Sequence, residues 1–485
     1  MLLVRLSKDD LKVIIRDIGS ILVIIGYLLI LPSLVAYYYN EPYLNFLGLS
    51  AILILSGFIL RKLYQKAGET RLKHAMIIAG LAWLIVPLVS CLPFIGIIDI
   101  LDAYFESMSG YTTTGLTIFS DVEHLPKSLL FWRALIQWVG GIGVITLFIL
   151  VLVQVGIGAA RFYVAEARGE RITPTIASTV RKIWEIYVLY TILGTILYYI
   201  AGMNLFDSLC HTFTALATAG FSTRNSSIGS YHSMLIEMVS IFLMFLGGIS
   251  FILHHKILKG EKEEFLKDPE VKMFVGLILC STLLIFVDLY LKGFGVLNSL
   301  RYSLFHSVSA ITTTGFSICD LSNFPEFSKA ILSFLMISGG CSGSTAGGIK
   351  VFRILILLKL AYYQNLKEML PSRSVIAFKI KERVMEDEEL LRITTFFFLY
   401  TSIIFISGII LTEFGLHFID GIAIAASAQG NVGLVTISSI KWFSLPKIAK
   451  VILIIQMWAG RLEIYPAFAL FYALVTSWKK ERRET

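Results

Sequence analysis

Long apolar runs alternate with short ones along this chain, and the alternation repeats. After a basic lead over residues 1–17 come two apolar runs, Ile18–Tyr39 and Tyr43–Leu60, separated by Asn40-Glu41-Pro42. A helix of ~20 apolar residues can cross a bilayer, so the two runs predict a helical hairpin. The first is too long for a signal-peptide core and has no small-residue cleavage site, so it is expected to stay in the protein. From residue 74 onward the pattern reads long, short, long, four times over. The first long runs lie near 74–92, 183–201, 273–292 and 393–412, and the second near 128–153, 232–253, 328–360 and 444–477. The short runs, about 102–112, 207–217, 302–312 and 420–430, have the length of re-entrant half-helices rather than of spans. The expected fold is an all-α membrane protein of two N-terminal helices plus four repeats of long helix, pore helix, loop and long helix. Its divisions fall at 1–73, 74–160, 161–258, 259–391 and 392–485, with the second long helix of the third repeat broken.

Each short run ends in a segment closed by glycine. The four are Ser109-Gly-Tyr-Thr-Thr-Thr-Gly115, Thr214-Ala-Leu-Ala-Thr-Ala-Gly220, Ser309-Ala-Ile-Thr-Thr-Thr-Gly315 and Ser427-Ala-Gln-Gly-Asn-Val-Gly433. Aligned on these glycines, Asp102, Asp207, Tyr302 and Asp420 share one upstream position, while Gly141, Gly248, Gly340 and Gly460 recur at similar distances downstream. Aspartate is a favoured helix N-cap, so three half-helices are expected to start on it. A half-helix entering from outside aims its C-terminal carbonyls, about half a negative charge, at the membrane centre. Glycine permits the backbone to turn successive carbonyls inward, and rings of such oxygens replace the hydration shell of a cation in potassium filters. One loop alone would read as helix-end packing by small residues. Four in register read as an ion site.

Composition and charge agree with a membrane protein. The 485 residues are 56% hydrophobic and 16% charged, with a mean hydropathy of +0.77, whereas soluble proteins are about a quarter charged. The net charge of +8 could suggest nucleic acid, but most Lys and Arg sit in alternate connections. Residues 92–126 hold none, and 202–231 only Arg224. This positive-inside asymmetry explains the basic excess without nucleic acid and predicts that both termini are cytoplasmic. The five cysteines lack metal-ligand spacing, and His254-His255 reads as a solvated loop. No Walker motif or strand–loop–helix nucleotide site is present in this chain.

Two polar features interrupt the apolar runs. Gly339-Gly-Cys-Ser-Gly-Ser-Thr-Ala-Gly-Gly348 is too glycine-rich for a membrane helix to persist. Close helix packing explains two of its glycines but not the polar Ser342, Ser344 and Thr345, so an unwound segment below the filter is expected. Arg461, at the equivalent depth in the fourth repeat, must face a cavity or a partner. It reads either as a salt bridge to Glu463 or Glu106, or as an electrostatic barrier in the ion path. Arg224 and Asp320, just beyond the second and third loops, shape an outer mouth or anchor their loops. An intramembrane hydrolase would need a base beside Ser342, Ser344 or Cys341, and no His or Asp is placed to serve.

The four repeats, the Ser109–Gly115 segment, Ala219-Gly-Phe-Ser-Thr-Arg-Asn225 and Gly430-Asn-Val-Gly433 resemble the Trk/Ktr/HKT superfamily of potassium transporters. The N-terminal hairpin makes the chain most similar to the TrkH-type membrane subunit, and the resemblance covers nearly its whole length. It implies a pseudo-fourfold arrangement around one pore, with K⁺ as the transported ion. The implied filter is Thr112, Thr113, Thr114 and Gly115; Ala217, Thr218, Ala219 and Gly220; Thr312, Thr313, Thr314 and Gly315; and Gly430, Asn431, Val432 and Gly433. Ala219 departs from the usual residue there, which matters little if its carbonyl is the ligand. In plant members serine at the first filter glycine accompanies sodium transport, so glycine at all four positions favours potassium over a sodium-permeable or sodium-coupled relative. The implied gate is the loop containing Gly339, Gly340, Ser342, Gly343, Ser344, Thr345, Gly347 and Gly348, together with Arg461. The resemblance also implies a homodimer in the plasma membrane of a bacterium or archaeon. Its partner would be a cytoplasmic ring of nucleotide-binding subunits responsive to NAD or ATP/ADP.

Overall fold

A computed structural model describes residues 7–143, 176–369, 377–380, 383–464, 467 and 470. The described chain is helical apart from its connecting loops and one hairpin of β1 Lys379–Ile380 with β2 Arg383–Val384. The predicted continuations at 144–153 and at most positions beyond 464, and the basic stretch 161–175, lie outside these residues. Among them, six helices are long and apolar enough to cross a membrane, or seven if one bent pair is counted as a span.

The N-terminal hairpin is α1 Lys8–Leu28, continued by α2 Ile30–Tyr38, against α3 Leu44–Leu63. The first helix starts at Lys8 rather than near Ile18, because Ser7 and Asp10 form a capping box: Asp10 N donates to Ser7 Oγ (3.1 Å) and Ser7 N to Asp10 Oδ2 (2.8 Å). Gly26 lets α3 approach closely, and Ser50 Oγ donates to the Gly26 carbonyl at 2.7 Å. Such small-residue contacts are how helices associate where lipid gives no hydrophobic drive.

The four first long helices are α4 Leu72–Ser90, α7 Ile176–Ile200, α12 Pro269–Leu291 and α16 Asp387–Thr412. The short helices are α5 Ile100–Tyr111, α8 Leu205–Leu216, α13 Val296–Ile311 and α17 Phe418–Gln429. The second long helices begin as α6 Lys127–Ile142, α9 Met234–Gly248, α14 Glu326–Ser338 and α19 Lys447–Arg461. Glu41, from the hairpin turn, accepts from Lys127 N and Ser128 N at the start of α6. Asp288 does the same for Ser328 N in α14. Each carboxylate satisfies orphan N–H groups at a helix start.

Two expectations need correction. The aspartates at 102, 207 and 420 are not N-caps; Asp99, Asn204 and His417 hold those places, and Gly295 caps α13. The carboxylates sit one turn in, where two reach the preceding repeat: Asp102 pairs with Lys450 (2.7 Å) and Asp420 with Lys329 (3.0 Å). In the third repeat the charges are exchanged, Arg301 on α13 pairing with Glu237 on α9 (2.5 Å). On α6 of the first repeat Leu130 takes the place of Lys or Glu, and Asp207 of the second repeat binds Arg224, Thr223 and Tyr231 instead.

The second correction concerns helix breaks. In repeat three, residues 339–350 are non-helical between α14 and α15 Val351–Glu368. Repeat two, expected to be continuous, also breaks: α9 stops at Gly248 and α10 Phe251–Leu258 leaves at 102°. The cause is the repeat-three loop, whose Cys341 N and Thr345 N donate to the carbonyls of Gly248 (2.9 Å) and Gly247 (3.2 Å). Those carbonyls are thereby satisfied without a further helical turn. His254, expected in a solvated loop, is buried in α10 with its Nε2 at 2.9 Å from the Leu246 carbonyl.

Candidate functional site

The four short helices end in the same backbone geometry. In order along each loop, Thr112, Ala217, Thr312 and Gly430 have φ near −70°. Thr113, Thr218, Thr313 and Asn431 follow at φ +56°, +49°, +56° and +55°. Thr114, Ala219, Thr314 and Val432 return to negative φ, and Gly115, Gly220, Gly315 and Gly433 close at +83°, +78°, +82° and +94°. Alternating the sign of φ turns successive carbonyls to one side of a strand, which an ordinary strand of one hand cannot do. Only glycine takes the closing conformation without strain. The four non-glycine residues at positive φ cost ~1–3 kcal/mol each, a cost sustained only where the surroundings dictate the shape.

Those surroundings are visible. Loop N–H groups turn back to the helix they leave: Thr114 N donates to Ser109 O (2.8 Å), Ala219 N to Thr214 O (2.9 Å), Thr314 N to Ser309 O (2.9 Å) and Val432 N to Ser427 O (2.8 Å). The donors are consumed while several acceptors are left without a partner among the described residues. The carbonyls of Thr113, Thr114, Thr313, Thr314, Asn431 and Val432 accept no hydrogen bond from any described residue. The loops also close on one another. A Cβ on Gly115 would collide with the carbonyl oxygen of Ala219, one on Gly220 with that of Thr314, one on Gly315 with that of Val432, and one on Gly433 with that of Thr114. That circuit runs one, two, three, four and back to one. All four glycines line one cavity of about 620 Å³.

Behind the loops stands a layer of buried side chains that the sequence reading missed. Glu106, His211, His306 and Ile424 occupy one position of the four short helices. Glu106 accepts from Ile118 N (2.9 Å), His211 Nε2 lies 2.8 Å from Ser222 Oγ, and His306 Nε2 accepts from Ile318 N (3.4 Å). Each braces the strand leaving its own loop. Glu106 is also paired with the buried Arg133 at 2.8 Å, and Arg133 reaches Ser222 O and stacks over Phe221. One helical turn beyond Arg133, Gln137 binds the second loop directly: Nε2 donates to the Ala219 carbonyl (2.7 Å) and Oε1 accepts from Phe221 N (2.9 Å). A polar Gln inside the apolar run of α6 was the available signal.

At the mouth, Arg224 and Asp320 both line the cavity. Arg224 is held by Asp207 at 2.9 Å and stacks on Tyr231, and Asp320 caps its own turn through Ser322 N (2.9 Å). Both act as loop anchors. Cys319 lines the same cavity, and burial pushes its thiol up to about 12, so it is protonated at neutral pH. Among the described residues no cluster of His, Cys, Asp or Glu could hold a metal.

At the opposite end of the loops lies the 339–350 segment. It leaves α14 at Gly339 (φ +72°) and turns again at Gly343 and Gly348. Thr345 Oγ1 donates to Leu216 O (2.8 Å) and accepts from Thr218 Oγ1 (3.2 Å), while Gly347 N donates to Thr313 Oγ1 (2.7 Å). A Cβ on Gly347 would collide with the Gly430 carbonyl. The segment therefore presses against three of the four loops. Gly340 packs on Ala346, and Ser344 Oγ donates to Cys341 O (2.6 Å). The serine hydroxyl thus serves the loop's own backbone. Glu270, at the start of α12, accepts from Ser342 N (2.6 Å) and Phe352 N (3.1 Å), fastening both ends of the break.

Arg461 completes this layer. Glycines 140, 247 and 460 each abut the last carbonyl of their own short helix, at Tyr111, Leu216 and Gln429. Gly460 therefore matches Gly140 and Gly247 rather than Gly141 and Gly248, which corrects the earlier register by one residue. Arg461 then stands where the other repeats carry Gly141, Gly248 and Gly340. Its guanidinium donates to Thr345 O (3.2 Å) and to the carbonyls of Gly140 and Gly141 (3.0 Å for the latter), and lies over Trp83. The carbonyls at 140 and 141 are in the last turn of α6, where acceptors are orphaned and a cation is favoured. The two acids weighed as its partners are otherwise engaged, Glu463 with Arg353 and Glu106 with Arg133.

Comparison with known proteins adds an independent line. Residues 44–482 match the family model TrkH, described as a cation transport protein. The chain is 37% identical over 475 residues to an uncharacterized cation transporter of Methanocaldococcus jannaschii, covering 97% of each. It is 32% identical to the Trk system potassium uptake protein TrkH of Salmonella typhimurium, covering 95% of this chain and 98% of the relative. The crystal structure of the potassium transporter TrkH from Vibrio parahaemolyticus superposes with a TM-score of 0.81 at 29% identity, covering 95% of this chain and 98% of that one.

Proposed function

This chain belongs to the TrkH family of cation transport proteins, and from that premise we propose how it takes up potassium. It is a potassium uptake transporter of the TrkH type, not an enzyme. In our reading, the four repeats surround one pore in pseudo-fourfold fashion, and ions enter through the outer cavity. They lose water among the carbonyls of Thr112–Gly115, Ala217–Gly220, Thr312–Gly315 and Gly430–Gly433. The observation that carries this reading is the alternation of φ sign at sixteen matched positions, with loop N–H groups turned back to the short helices and the carbonyls of Thr113, Thr114, Thr313, Thr314, Asn431 and Val432 accepting from no described residue. A ring of free backbone oxygens takes the place of hydration water for a desolvated cation.

The 339–350 segment with Arg461 forms the gate. Its support is position: it seals against the inner ends of the loops and places a guanidinium there, which repels a cation at the low local dielectric of a membrane interior. Opening requires the segment to leave Thr218 and Thr313 and Arg461 to leave Thr345. The membrane is the plasma membrane, with both termini cytoplasmic, and the working unit is a homodimer on a cytoplasmic ring of nucleotide-binding subunits. A second apolar cluster of Ile356, Phe378, Ile380, Met385, Leu390 and Ile393 ties α15, the β-hairpin and the start of α16 together. It gives such a ring a compact lever attached directly to the segment.

The test is ion flux in liposomes. Purified protein is expected to pass K⁺ and Rb⁺ well ahead of Na⁺, and Gly115→Ser or Gly315→Ser to erode that preference. Equal Na⁺ and K⁺ permeability in the unaltered protein, or full selectivity in both serine variants, would sink the filter assignment.

A further inference from the structure

We infer that Gln137 is a specificity-determining residue, setting K⁺ over Na⁺ preference by clamping the second filter strand from behind; the inference rests on the filter reading above. Gln137 touches no ion path itself and acts through Ala219, so it is a positioning residue. Three observations carry it. Its amide is fully buried and both ends are used, Nε2 on the Ala219 carbonyl and Oε1 on Phe221 N, at 2.7 and 2.9 Å. The two peptide groups it grips flank Gly220, the closing residue of the second loop. The gripped carbonyl is also the one that packs against Gly115 of the first loop, so the clamp reaches the seam between two loops.

Comparison among the repeats sharpens the point. With the glycines matched as 140, 247, 339 and 460, the residue at the Gln137 position is Met244, Met336 and Met457 elsewhere. A thioether cannot donate and fills the same space. Repeat one alone carries the amide, and it grips a loop carrying alanine at both 217 and 219, where the first and third carry threonine. In those two loops the threonine hydroxyls form an internal bond, Thr112 to Thr114 and Thr312 to Thr314, each 2.8 Å. The second loop lacks both hydroxyls. Gln137 supplies from a neighbouring helix the restraint that the loop cannot make for itself.

A carbonyl free to rotate can follow a smaller ion inward, whereas a clamped one cannot, so losing the clamp favours Na⁺ most. Gln137→Met installs the residue that the other repeats already accommodate, and Gln137→Glu keeps the shape while replacing the donor by an acceptor. Both are measured in liposomes for the Na⁺-to-K⁺ flux ratio, with thermal unfolding in detergent confirming the fold. Loss of one hydrogen bond corresponds to a rise of about three- to tenfold in that ratio. Gln456→Leu serves as the control, because it deletes a buried amide that has no hydrogen-bond partner among the described residues; its ratio stays at the wild-type value. If the Gln137 variants fold and keep the wild-type ratio while Gly315→Ser loses selectivity, the clamp is wrong and the filter stands. If Gly315→Ser also keeps the wild-type ratio, both fall.

Discussion

Replacing Arg461 by alanine is the most direct test of the gate. Among the described residues the guanidinium donates to three carbonyls, those of Thr345, Gly140 and Gly141. Bonds to a charged donor contribute about 1.5–3 kcal/mol each, or roughly 5–9 kcal/mol for three if none is shared. Holding an arginine at membrane depth costs about 2.5–3.5 kcal/mol by insertion scales. The closed arrangement is then favoured by roughly 1–6 kcal/mol through this residue, and even the lower figure corresponds to about a fivefold shift in the open fraction. The assay is Rb⁺ uptake into liposomes containing the chain alone, with no cytoplasmic partner. Arg461→Ala should raise the basal rate at least about fivefold, and Arg461→Lys, a point charge without the planar fork, should fall between. A well-folded Arg461→Ala protein with wild-type basal flux would refute the reasoning, because the three carbonyl contacts would then be present in the open state as well.

Two further expectations follow from the buried charges and the mouth. Lys329→Met should destabilise the protein by about 3–5 kcal/mol by leaving Asp420 buried and uncompensated, whereas Lys329→Met with Asp420→Leu should recover most of the loss. Additive single and double effects in detergent unfolding would contradict the pairing. Cys319 should label slowly with a methanethiosulfonate reagent at pH 7. Because burial raises its thiol to about 12, thiolate is scarce below that value, and labelling should climb about tenfold per pH unit from 7 to 10. An ordinary thiol near 8.5 levels off above about pH 9, and a plateau there would show that the Cys319 thiol is not shifted.

The parts of the site legible in the sequence were those imposed by the backbone. A loop that closes at positive φ needs glycine, so Gly115, Gly220, Gly315 and Gly433 announced themselves. The preceding positive-φ position holds Thr113, Thr218, Thr313 and Asn431, residues that carry no such mark, and it is fixed by packing. The aspartates at 102 and 420 looked like caps because a lysine one repeat away has no sequence trace linking it to them. The break at Gly248 was hidden for the same reason: a Gly-Gly pair is equally good for close packing, and the donors that end the helix come from Cys341 and Thr345, far along the chain. Gln137 could have been read from its polarity within an apolar run, but its target could not.

The exchanged pair between Arg301 and Glu237 bears on how the chain assembles. Four helical units of similar length and hydropathy enter the same membrane, and any of them could dock beside the wrong neighbour. Lys329 and Lys450 invite an aspartate-bearing short helix, and both would repel Arg301, which only Glu237 at that level can receive. Inverting one polarity out of three excludes every order that would set Arg301 beside Lys329 or Lys450. The ion pairs thus work as an address label, excluding misordered rings through like-charge repulsion as much as they hold the correct one together.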